Sequence, residues 1–185
     1  LNAVDTSAAP GLGPVLRRLY LARFGFALVW AVLLFLTASD LGPVSSTLLV
    51  IYPLFDVAAA VIDARSSRAT GSPAVLYVNI AVSTLAGVGL VFAVTSGIPA
   101  VLRVWGAWAV VSGLVQLIVG IGRRHLNGQW PMIISGTISM LAGASFVLRA
   151  GGEGASLTNL AVYALLGGVF FLVSALRLGR KARHR

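Results

Sequence analysis

Cysteine is missing altogether. Its absence excludes a disulfide scaffold, a thiolate metal site and a cysteine nucleophile, and leaves the redox compartment open. Histidine is nearly missing, with only His125 and His184, both beside arginines. No His-x-x-x-His or Glu-x-x-His spacing occurs, so the sequence supplies no catalytic zinc set. Acidic residues number five, and apart from Asp56 and Asp63 they fall in separate segments. Serine and threonine are common, but none has a histidine or lysine placed as a base. The Gly-x-Gly pairs at Gly11, Gly87 and Gly120 lack the strand–turn–helix setting of a nucleotide fingerprint. These gaps describe a protein without enzymatic activity and without a cofactor or metal. Charge as a whole is scarce, at 10% of residues against about 25% in an average globular chain. A water-facing surface cannot be covered with so little, so a lipid bilayer is the expected solvent.

What is present is apolar: 58% hydrophobic residues, interspersed with 21 glycines. A hydrocarbon core about 30 Å thick needs roughly 20 apolar residues in a helix. Six such stretches run over Leu19–Ala38, Val44–Ile62, Ala74–Val94, Ile98–Ile121, Pro131–Leu148 and Leu157–Leu176. Runs of this length exclude a transmembrane barrel, whose strands are shorter and alternate in polarity. The expected fold is therefore all-α, a polytopic integral membrane protein with six transmembrane helices. Residues 1–16 read as a flexible cytoplasmic tail, 17–181 as the transmembrane domain and 182–185 as a basic cytoplasmic end. The first span is too long for a secretory signal and carries Arg23, so it reads as a retained helix.

Cation placement sets the expected orientation. Arg17, Arg18, Arg65, Arg68, Arg123, Arg124, Arg177, Arg180, Lys181, Arg183 and Arg185 all fall on one side of a six-span chain. The other side holds Arg103 and Arg149 with the acids Asp40 and Glu153. The positive-inside rule then places both termini in the cytoplasm. The net charge of +9 needs no nucleic acid. Topology and contact with anionic lipid account for it, and the bilayer is the expected partner, with a homo-oligomer or a second membrane protein left open.

The spans also repeat. Ser83 to Gly87 in the third resembles Ser139 to Gly143 in the fifth, 56 positions later, and Tyr52, Trp108 and Tyr163 follow the same interval to within one residue. The chain thus reads as three helical hairpins, about 17–68, 73–124 and 129–181, related as parallel repeats. On the odd helices the four-residue steps Arg23, Ala27, Ala31, then Asn79, Ser83, Gly87, then Ser135, Ser139, Gly143 share a face. Each begins polar and continues small. Such a stripe is expected to be a helix-packing seam, since membrane helices associate by close backbone approach; lining a narrow solute path is the alternative. Gly106, Gly113 and Gly120 predict a second seam on the fourth helix. Pro53, inside the second span, is expected to kink it and free a carbonyl near Leu49.

Ionisable groups inside the slab are costly, so they are the default place to look for function. Arg23 sits about 6 Å and Asp56 about 10 Å inside their spans at 1.5 Å per residue, on adjacent helices. An Arg23–Asp56 ion pair is expected, with Asp63 as a competitor from the interface. Asn79, Ser112 and Gln116 lie at similar depth. The set Arg23, Asp56, Asp63, Asn79, Ser112 and Gln116 is either a lock on the first hairpin or a polar site facing a vestibule. Arg103 is expected to snorkel outward or to meet Asp40 or Glu153. Trp30, Trp105, Trp108 and Trp130 read as packing or interface-belt residues.

Arg23-Phe24-Gly25, Tyr52 through Asp56-Val57, Trp108 to Ser112-Gly113, Tyr163 to Gly167-Gly168 and the exit Leu176-Arg177-Leu178-Gly179-Arg180 together resemble the HdeD-like family of bacterial membrane proteins. The resemblance covers roughly Val15–Lys181. It departs at Asp56-Val57, where the family's usual pair is aspartate–glycine, and small residues stand at the two later equivalents. The resemblance implies a short repeat of unknown function and an acid-resistance or other stress-protective role in the envelope. The rival readings are a proton or small-solute transporter working through Arg23 and Asp56, and an accessory subunit of a larger membrane complex.

Overall fold

Runs of apolar side chains with almost no charge satisfy their backbone in a bilayer only as helices, and helices are what form. The computed structural model describes residues 12–67, 74–126 and 128–182. It contains α1 (Leu12–Thr37), α2 (Pro43–Ser67), α3 (Ala74–Ala93), α4 (Ile98–Gly122), α5 (Trp130–Arg149) and α6 (Thr158–Ala182). All six are long and apolar enough to cross a membrane, and the protein is an all-helical, six-span membrane protein. Their outward faces carry large apolar side chains such as Phe35, Leu36, Leu85, Phe92 and Leu141, which contact lipid.

Two helix ends differ from the sequence reading. α1 starts at Leu12, so residues 12–16 are helix rather than tail, while residues 1–11 and 183–185 lie outside the described residues. Pro14 is tolerated because the first turn has no intrahelical acceptor for its missing N–H. Leu16 holds that turn down by packing with Tyr20, Met132 and Ala175. α2 likewise runs on to Ser67, five residues beyond its apolar stretch.

Each helix contacts the helices before and after it in the chain, and α6 contacts α1, so the six close into a ring. Neighbours are antiparallel: Arg23 meets Asp56, Trp30 meets Leu48, Ser83 meets Trp108, and Ser139 meets Tyr163. The repeat is visible in these bonds. Trp108 Nε1 donates to Ser83 Oγ at 2.9 Å, and at the equivalent place Tyr163 Oη donates to Ser139 Oγ at 3.0 Å.

The closest packing is not within the hairpins. It lies between them, at α2–α3, α4–α5 and α6–α1. The small residues explain this, because each odd helix turns them toward the preceding even helix. A Cβ added at Gly106 would sit 2.5 Å from the Gly143 carbonyl oxygen, one at Gly113 2.8 Å from that of Gly136, and one at Gly120 3.0 Å from Ile133. Gly87 faces Leu54 of α2, and Ala27 of α1 faces Gly168 of α6. The three gaps spanned by the outer connections, 38–42, 94–97 and 150–157, are the looser ones. Gly97 starts α4 at φ 96°, and Gly128, at φ 95°, also leaves no room for a Cβ, which would lie 2.7 Å from the Ser174 carbonyl oxygen. Only glycine meets both demands there.

The half of the ring far from the termini is filled by Trp30, Tyr52, Trp105 and Trp108, with Trp30 and Trp105 stacked at 5.2 Å. α2 continues as helix through Pro53. Trp30 Nε1 donates to the Leu48 carbonyl at 2.6 Å, one residue before the carbonyl expected to be freed. Trp105 Nε1 has no partner among the described residues. Trp30→Phe is therefore expected to cost about 0.5–1.5 kcal/mol, the net worth of one hydrogen bond, because the Leu48 carbonyl lies within α2 and keeps its helical partner. Trp105→Phe removes no such bond, and thermal unfolding in detergent should rank the two in that order.

Candidate functional site

The polar residues predicted from sequence converge inside the ring, in the half that carries the termini. Arg23 and Asp56 each lie 11 residues from the arginine-rich end of their helix (23 − 12 and 67 − 56). The depth mismatch expected from the apolar stretches vanishes because both helices extend past them. Arg23 Nη1 donates to Asp56 Oδ1 at 2.6 Å. Asp56 Oδ2 accepts from Asn79 Nδ2 at 2.6 Å and from Ser83 Oγ at 2.8 Å. Ser83 in turn accepts from Trp108, so one carboxylate ties α1, α2, α3 and α4 together. The Arg23 guanidinium also lies 5.1 Å from the Phe171 ring centroid on α6, a cation–π contact. The side chains of Arg23 and Asp56 are only 17% and 11% exposed, so the pair is largely shielded from screening.

Asp63 does not compete for Arg23. Arg123 holds it in a fork, with Nη2 on Oδ1 at 2.7 Å and Nη1 on Oδ2 at 3.0 Å. Ser67 closes this second cluster, accepting from Arg123 Nη2 at 2.6 Å and donating to Asp63 Oδ1 at 3.1 Å. Burial works to lower the pKa of the Arg123 guanidinium, but the bond to Asp63 and its charge outweigh that and hold it above the ordinary arginine value. Among the described residues these are the two ion pairs.

The other predicted residues divide. Ser112 turns its hydroxyl back to the Trp108 carbonyl, and Gln116 donates to the Met132 carbonyl at 3.0 Å. Both line the same central cavity as Arg23, Asp56 and Asp63, without bonding to either carboxylate. That cavity measures about 100 Å³ and reaches Ser135, Ser139 and Tyr163. It is room for several water molecules at about 10–15 Å³ each. Gln129 lines it too, with Nε2 buried and unpartnered among the described residues. Of the predicted seam, Ser83 belongs to the carboxylate network. Ala27, Gly87, Gly106, Gly113, Gly120 and Gly143 make close helix contacts, and Ala31 packs in the aromatic half. Arg103 is exposed with its Nη2 near Gly151, and pairs with neither Asp40 nor Glu153 among the described residues.

Comparison with known proteins finds a family to which part of this arrangement is similar. Residues 79–148 match the family described as a short repeat of unknown function (DUF308). It is a family of membrane proteins. No curated protein and no solved structure gives a significant match to the chain. The matched segment runs from Asn79, inside α3, through α4 and nearly all of α5, and so contains the glycine seam between α4 and α5. It includes Asn79, Ser83 and Trp108 of the carboxylate network, whereas Arg23 and Asp56 precede it.

Ser83 and Trp108 were missed as site residues. Ser83 carries a signal, since it follows Asn79 by four positions and so shares its face. Trp108 carries none, because only the rotation of α4 turns its N–H inward. The Asp63–Arg123 fork joins residues 60 positions apart, one on α2 and one just past the end of α4, which is not a ring neighbour of α2.

Proposed function

We propose that this is a non-enzymatic protein of the bacterial inner membrane, HdeD-like in type, with cytoplasmic termini and a structural, acid- or stress-protective role in the envelope. One observation carries the reading: the buried carboxylate of Asp56 is fully engaged by Arg23, Asn79 and Ser83, so the most costly group in the slab is spent on holding helices together. Asp63 is spent in the same way at the arginine-rich end. A carboxylate fixed by three donors is poorly placed to act as a general base or a proton carrier.

The cavity favours a second reading, transport of a proton or small solute past Asp56, because Arg23, Asp56, Asp63 and Gln129, whose Nε2 has no partner among the described residues, all line it. Two measurements separate them. In proteoliposomes, proton and small-solute permeability is expected to equal that of empty vesicles. In cells lacking the protein, survival after acid challenge is expected to fall and to be restored by the wild-type chain. A flux that Asp56→Asn abolishes while the thermal midpoint stays unchanged would reverse the assignment in favour of transport.

A further inference from the structure

The three looser gaps of the ring are equivalent by the repeat, yet they are not filled alike. Between α1 and α2, Phe26 and Phe55 stack with centroids 3.8 Å apart. Between α3 and α4, Gly89 lets Val104 approach, so that an added Cβ would lie 3.2 Å from Val104 Cγ1. Between α5 and α6 there is instead a groove of about 700 Å³, within the size range of ligand sites, roughly 300–1,000 Å³.

The repeat register shows why. Ile138 and Leu166 stand where the first hairpin has the stacked Phe26 and Phe55, and both line the groove. Two branched aliphatic side chains replace two rings, and the gap stays open. Ser145 and Asn159 stand where the second hairpin has Gly89 and Val104 and the first has Leu33 and Leu48. Arg149 stands where the others have Thr37 and Ala93. The third gap alone therefore combines an apolar floor with three polar side chains at its mouth, all of them lining the groove. Ser145 and Arg149 are four apart on α5 and share a face. Neither side chain bonds to another described residue, and Asn159 makes one long bond of 3.4 Å, to the Gly154 carbonyl. Glu153, the acid of the same connection, forms no ion pair with Arg149 and does not line the groove. Arg103 adds a second unpaired cation beside Gly151.

We infer that the α5–α6 groove binds an anionic phospholipid. Arg149 holds the phosphate, Ser145 and Asn159 donate to its oxygens, and one acyl chain lies along Ile138, Val162 and Leu166. Arginine suits the role because its fork matches phosphate oxygens. The site opens to the bilayer, so the ligand needs no aqueous path.

Native mass spectrometry of the full chain in a mild detergent, incubated with phosphatidylglycerol or with phosphatidylcholine of the same acyl chains, tests this. The wild type is expected to retain one phosphatidylglycerol in preference. Arg149→Gln should reduce that preference about fivefold, the effect of one cation near a lipid headgroup. Arg65→Gln, an exposed arginine at the opposite end, should leave it unchanged. The pair Ile138→Phe and Leu166→Phe, which restores the aromatic filling of the first gap, should abolish retention of either lipid. Leu166→Phe alone, at a half-exposed position, serves if the pair does not fold. Equal retention of both lipids by the wild type, an unaltered preference in Arg149→Gln, or full retention after the gap is filled would each overturn the assignment.

Discussion

Replacing Arg23 with alanine is expected to destabilise the bundle by about 3–5 kcal/mol, the usual consequence of stranding one member of a buried ion pair. The carboxylate of Asp56 would keep Asn79 and Ser83 as donors, but it would lose its ion-pair partner among the described residues inside a medium of low dielectric. Asp56→Asn leaves the complementary fault, a guanidinium without its counter-charge, held by a neutral amide oxygen and the Phe171 ring. It should be milder, because the arginine stem can reach toward the interface as it snorkels. The decisive variant is the double one, Arg23→Met with Asp56→Leu. Removing both charges spares their desolvation, so the double variant should be more stable than Arg23→Ala alone. Reversible unfolding in mild detergent, followed by tryptophan fluorescence, reads all three. A loss below about 1 kcal/mol for Arg23→Ala, the value typical of an exposed pair, would mean that the pair is solvated and locks nothing.

This pair was legible in the sequence because its ingredients are rare. Arg23 and Asp56 are the two charged residues well inside the apolar runs on the arginine-rich side, and adjacency of consecutive helices supplied the geometry. The six spans were legible for the same reason: hydropathy fixes the solvent before any packing is known. Their ends were less so. Pro14 and Gly13 read as tail, yet Leu16 is buried against α5 and α6 and draws the first turn into the helix. Hydropathy cannot report such a contact, since it depends on a helix more than 100 residues away.

The partners of each helix were harder to read than the helices themselves. A repeat of two spans invites the conclusion that each hairpin is a packing unit, because its two helices are joined by a short connection. Proximity in sequence does not measure closeness of packing, however. The small residues at Gly87, Gly143 and Ala27 face backward along the chain, to α2, α4 and α6, and only the rotation of each helix about its own axis decides that. The closure of α6 on α1 follows from repeating the same contact a third time. The Asp63–Arg123 fork was illegible for a related reason: it spans the end of the ring between α2 and α4, and a long arginine just past a helix end can reach several positions.

The α4–α5 seam is where a single methyl group should do most harm. At Gly106 an added Cβ would stand 2.5 Å from the Gly143 carbonyl oxygen and 3.1 Å from the Val147 nitrogen, both of them backbone atoms. No rotamer change relieves such a contact, so the helices would have to part by roughly 1 Å to reach ordinary van der Waals distance. The separation spreads along the seam, because Gly113 and Gly136 approach each other nearly as closely one register along, with a Cβ at Gly136 placed 2.7 Å from the Gly113 carbonyl oxygen. Overpacking in cores usually costs about 1–3 kcal/mol, and Gly106→Ala is expected at the top of that range or above it. Gly143→Ala should match it, since it meets the Gly106 carbonyl oxygen at the same 2.5 Å. The two together should cost less than their sum, because once the helices have parted for one methyl the second finds room. Gly25→Ala supplies the contrast. Nothing lies within 4 Å of its added Cβ, so the gain in helix propensity, up to about 1 kcal/mol, should stand alone. Additive losses at Gly106 and Gly143, or a Gly106→Ala protein as stable as the wild type, would show that the two backbones are not in contact there and that the ring is held by its polar network alone.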